Sequence, residues 1–109
     1  MKAFPPTYTL RDEIFIHMAP YSRDKVRVLS RLDTSKLDLT KYKGINRTDD
    51  DFPLAWSKSY GRGRVFYSTY GHVPENWDNP MVRKMYFEAI RWAMGLTEGS
   101  TTPRPMPSK

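Results

Sequence analysis

The sequence predicts an α/β fold, on three observations. Two strand-like runs, Phe52–Ser59 and Arg64–Thr69, flank the tight turn Tyr60-Gly-Arg-Gly63. They read as a β-hairpin, because glycines reach positive φ without a Cβ clash. An amphipathic helix follows, opened by Asn79-Pro80 and closed by Gly95. Asparagine caps a helix N-terminus, proline fits its first position, and glycine ends it.

Upstream, Met1–Leu10 holds Pro5-Pro6 and no helical period, and reads as an extended lead-in. Glu13–Met18 is β-branched and aromatic and reads as a strand, broken at Ala19-Pro20. Val26–Leu32 alternates apolar and polar residues and reads as a second strand. Asp33–Asp51 is a polar excursion with Gly44, Asn46 and a helical turn near Leu37–Tyr42. Its Asp49-Asp50-Asp51 run reads as a solvated loop and is a poor calcium motif. In the helix, Met81, Met85, Ile90, Trp92, Ala93 and Met94 supply the apolar positions, with Trp92 and the methionines in the core. Leu96–Lys109 is rich in Pro, Ser and Thr and reads as a disordered tail or linker after a domain of residues 1–96.

Four strands and one helix leave an imbalance. An α/β sheet needs helices on both faces. Three tryptophans, seven tyrosines and five phenylalanines then lack enough cover. The chain looks like the second half of a larger α/β domain, with an open sheet edge that invites association.

Composition narrows the function. The chain has 109 residues, room for one small domain. Its 39% hydrophobic and 28% charged content fits a globular chain. The formal charge is +6, but the basic residues are dispersed and two, Arg104 and Lys109, lie in the tail. No Lys/Arg run and no zinc-finger spacing supports a nucleic-acid partner, and no apolar run supports a membrane span. The absence of cysteine excludes disulfides, thiolate metal sites and cysteine nucleophiles within the chain. No signal-peptide core is visible, which favours the cytoplasm. No cofactor is identified.

Several runs carry a resemblance: Asp12–Phe15 (DEIF), Pro53–Trp56 (PLAW), Tyr60–His72 (YGRGRVFYSTYGH), Trp77, and Ile90–Gly95 (IRWAMG). Together they resemble the C-terminal half of the ThuA-like, trehalose-utilisation family, across Phe4 to Gly95. Phe15 stands where the family has tyrosine, and Arg62 where it has lysine. The resemblance implies the C-terminal portion of a flavodoxin-like, class I glutamine amidotransferase-like three-layer sandwich, with the hairpin and a final packing helix. It implies a carbohydrate-related role and a small carbohydrate ligand. In the amidotransferases a strand ends in a His-x-Glu pair that activates a cysteine from the first half. Here the order is His72-Val73-Pro74-Glu75, and glutaminase activity is not implied.

The candidate residues follow, each beside a plainer role. His72 sits past a strand C-terminus, where open α/β sheets bind ligands. It is a candidate base or ligand contact with Glu75 orienting it, against a loop histidine that only bonds the hairpin. Glu13 and His17 share a strand face, as pocket residues or as edge packing. Trp56, Tyr60 and Trp77 offer faces for sugar stacking or simply pack. Arg64 suits a carboxylate or phosphate, or pairs with Asp12 or Glu13. No short ligand spacing supports a metal. Three classes remain: an enzyme of sugar metabolism, a non-catalytic sugar-binding or interaction module, and, far behind, a basic nucleic-acid binder.

Overall fold

The computed structural model describes residues 3–35, 37–41, 45 and 49–106. The predicted positions Tyr42, Gly44 and Asn46 lie outside them. The architecture is α/β: a three-stranded antiparallel sheet of order β1-β2-β3, with β1 Arg27–Arg31, β2 Pro53–Tyr60 and β3 Gly63–Ser68. One helix, α1 (Pro80–Ala93), follows.

The hairpin forms where the turn chemistry puts it. Tyr60 pairs with Gly63 across a two-residue loop. Gly61 takes φ +58°. Positive φ at the first loop position matches strand twist and favours glycine. The helix is capped at both ends. Asn79 Oδ1 accepts from the Met81 amide (2.9 Å). At the other end Gly95 turns to φ +80°, and the Gly95 and Leu96 amides donate back to Trp92 and Arg91. That pair of bonds satisfies carbonyls the helix leaves open.

The packed centre joins Phe4, Leu54, Tyr70, Val82 and Met85. The lead-in contributes to it directly, as the Phe4 and Tyr8 rings stack at 4.2 Å. Register shifts in β1 fall on either side of Ser30. Such bulges re-aim a side chain, and the Ser30 hydroxyl meets Tyr70 Oη at 2.9 Å and Tyr8 Oη at 2.5 Å.

Three expectations change, and one, the helical turn of the excursion, is met. Glu13–Met18 is not a strand. It lies beside the end of β3, but the Phe15 amide donates to Thr69 Oγ1 (3.3 Å) and that hydroxyl donates to the Glu13 carbonyl (3.4 Å). A side chain takes the place of a backbone ladder, so the described residues hold three strands. The helical turn of the excursion is a short 3-10 segment at Leu39–Lys41. Asp51 is buried rather than solvated, paired with Arg23 at 2.8 Å. On α1 the buried residues are Val82, Met85 and Trp92, while Phe87, Ile90 and Met94 are exposed. The helix carries two apolar stripes, and the sheet covers one.

Residues 97–106 hold no helix or strand and run past β1 and the helix end. The Thr102 carbonyl accepts from Arg27, and Arg104 Nε donates to the Val28 carbonyl (2.8 Å).

Candidate functional site

The site begins with two adjacent carboxylates that act on one loop. Asp12 reaches across to the segment after β3. Its Oδ2 accepts from the Gly71 amide (2.7 Å) and Asn76 Nδ2 (2.8 Å), and its Oδ1 from the Val73 amide (3.0 Å). The Glu13 amide adds a local bond at 2.8 Å. Burial works to raise the Asp12 pKa, but these bonds outweigh it and hold the carboxyl below the ordinary aspartate range. Asn76 is buried and also donates to the Arg11 carbonyl (2.7 Å).

Trp77 closes the loop from the other side. Its Nε1 donates to the Gly71 carbonyl (2.9 Å), and its ring stacks on Tyr86 of α1 at 5.0 Å. Gly71 takes φ +115°, and a Cβ there would stand 2.4 Å from Trp77 Cζ2. Only glycine fits this backbone and this approach. The Pro74–Asp78 3-10 turn carries both Asn76 and Trp77.

His72 is thereby fixed at the lip of the loop. Its Nε2 lies 2.5 Å from Glu13 Oε2, and Phe15 sits edge-on at 5.8 Å. In its neutral form the ring donates Nε2–H to the carboxylate and keeps Nδ1 as an acceptor. Such a ring can take a proton from a hydroxyl, or accept a hydrogen bond from it. Both side chains are about half exposed, at 53% and 61%.

Glu75, the expected partner of His72, stands exposed in the first turn of the 3-10 segment, and Glu13 takes its place. The cause is the Asp12 clamp, which brings the chain at 12–13 onto the loop. His17 goes elsewhere. Its Nε2 accepts from Trp56 Nε1 (2.8 Å), and its ring meets Tyr67 at 5.0 Å. Trp56 stacks on Tyr67 at 5.1 Å. Tyr60 is at the hairpin tip, 76% exposed. That is the far end of β3 from His72, roughly 20 Å along the strand. Arg64 serves the helix end. Its Nη1 donates to the Trp92 and Thr97 carbonyls, both at 2.8 Å, and its charge partner is Glu98 rather than Asp12 or Glu13. A cation suits that carbonyl-rich terminus.

The structure thus gathers His72, Glu13 and Trp77, and gathers His17 with Trp56 elsewhere. Asp12 and Asn76 were not singled out as site residues by sequence. The visible signal was the adjacent acidic pair Asp12-Glu13, whose side chains point to opposite sides of an extended chain. Among the described residues no cluster of three His, Cys, Asp or Glu could hold a metal ion, and no helix is long and apolar enough to cross a membrane.

No curated protein and no solved structure matches the chain. Residues 1–93 match the family model ThuA, described as trehalose utilisation. That match includes the Asp12-Glu13 pair, the hairpin, the His72 loop and all of α1, and the chain belongs to the ThuA family.

Proposed function

We propose that the chain serves carbohydrate metabolism by binding trehalose or a related glycoside at the Gly71–Trp77 loop. The observation that carries this is the His72–Glu13 pair, anchored by Asp12 and set beside the half-exposed ring of Trp77. An aromatic face packs on the C–H face of a pyranose. A histidine with an oriented acceptor bonds, or deprotonates, a hydroxyl above it. The family description supports the same ligand class.

Calorimetry with trehalose and a panel of glucosides, beside an assay for glycoside turnover, tests this. His72→Ala abolishes turnover and leaves the fold intact, and Trp77→Ala lowers sugar affinity. Wild-type protein that binds none of the sugars contradicts the proposal. The exposure of His72 and Glu13 favours a second reading, a non-catalytic sugar-binding module, because proton-transfer sites gain strength from excluding water. Sugar binding without turnover selects that reading.

We also read the chain as the C-terminal part of a flavodoxin-like three-layer sandwich whose remainder covers the outer face of α1. Phe87, Ile90 and Met94, exposed at 61%, 58% and 69%, support this. Sharp amide NMR spectra that do not change with concentration would contradict it.

A further inference from the structure

A cavity of about 300 Å³ opens where the His17–Met18 segment meets β2, lined by His17, Tyr21, Ser22, Lys25, Trp56 and Lys58 among others. Its lining contains two lysines and no carboxylate. Its wall is fixed rather than mobile in its bonding. The Trp56 indole is pinned by its Nε1–H bond to His17 (2.8 Å) and by stacking on Tyr67. Lys58 lies between two aromatic rings of the same strand face, 5.9 Å from the Trp56 centroid and 5.5 Å from that of Tyr60. Lys25 comes from a separate element, the Arg23–Lys25 turn.

We infer that this cavity binds a phosphorylated sugar, the ring against the apolar wall at Trp56 and the phosphate between Lys25 and Lys58. The charge argument is independent of the His72 loop: two ammonium groups without a neutralising carboxylate in the lining attract an anion. The apolar and aromatic remainder accepts a ring body and disfavours a bare, fully hydrated phosphate. The sugar identity of that ring rests on the function proposed above. The ligand is held by ion pairs at an open surface, so binding weakens as salt rises.

The test is NMR titration of the full chain, reading the Trp56 and Trp77 indole signals. Three probes are used: glucose-6-phosphate, glucose and inorganic phosphate. The expected result is a Trp56 shift with glucose-6-phosphate, at about tenfold higher affinity than with either of the other two. Lys25→Ala and Lys58→Ala each weaken it by about tenfold, since one charge-assisted contact of this kind is worth about that factor. Lys25 is exposed and Lys58 is half-buried on β2, so unchanged amide spectra are required of both variants to show that the fold is kept. Equal affinity for glucose and its phosphate overturns the inference, as does equal affinity for inorganic phosphate. Shifts at Trp77 without Trp56 also overturn it, while leaving the His72 loop as a sugar site. Shifts at Trp56 that depend on the lysines, with neutral sugars inert at Gly71–Val73, uphold the cavity and contradict the proposed loop function.

Discussion

The two ends of the β2–β3 hairpin are built in opposite ways. The tip, Tyr60–Gly63, closes through its own residues: one glycine at positive φ and a two-residue loop. The other end, Thr69–Trp77, is held by groups from far along the chain. Asp12 and Arg11 reach it from the segment after the lead-in, and Tyr86 from the helix. The tip is exposed and needs only local geometry. The loop end carries the candidate chemistry, and its backbone is over-determined. A histidine is useful when its surroundings fix it, and here three hydrogen bonds from the loop to Asp12 and one tryptophan supply that rigidity.

Substituting each end's glycine contrasts them most strongly. Gly71→Ala meets both positive φ and the Trp77 ring, and is expected to cost about 2–4 kcal/mol. Gly61→Ala meets no atom within 4 Å and costs only the conformational strain, about 1 kcal/mol. Urea unfolding of both variants measures the difference. Equal losses would break the contrast.

Asp12→Ala comes next. It strips acceptors from two backbone amides and the buried Asn76, at an expected cost of about 2–3 kcal/mol. Amide exchange should speed at Gly71 and Val73 and stay unchanged across Ser57–Phe66. Uniform acceleration would mean that Asp12 supports the whole domain and not one end.

Acid gives a reversible version of that test. The folded-state pKa of Asp12 lies below its ordinary value, 3.8. Its contribution is therefore complete above that ordinary value and is lost as pH falls through the lower folded value. Amide protection at Gly71 and Val73 should fall in that acid window before the hairpin tip pairs open. In Asp12→Asn the acid step should disappear.

The smallest effect on stability belongs to Glu13→Gln. The His72–Glu13 pair is half exposed, and such pairs contribute about 0–1 kcal/mol. Its consequence should lie in ligand affinity or turnover. A large stability loss would recast Glu13 as structural.

What the sequence made legible follows the same division. The hairpin, Asn79-Pro80 and Gly95 were readable because each depends on neighbouring residues and on glycine, proline or cap chemistry. His72 was readable from its place after a strand. Its partner was not. Glu75 is close in sequence, whereas Glu13 is close in space only because Asp12 ties residues 11–13 to the loop. The Glu13–Met18 strand failed for a related reason: Thr69 Oγ1 supplies the bonds that a neighbouring strand would have made. On α1 the sequence marked apolar positions and placed Trp92 and the methionines in the core, but it did not show that Val82 would face inward with Met85 and Trp92 while Met94 stayed exposed.

The most direct measurement is an amide and indole NMR map of the full chain under saturating trehalose, for wild type and Glu13→Gln. The expected result is a set of shifts centred on Gly71, His72, Val73 and the Trp77 indole, diminished in the variant. Shifts confined to the hairpin tip, or a map identical in the two proteins, would contradict the assignment of the His72–Glu13 loop as the carbohydrate site.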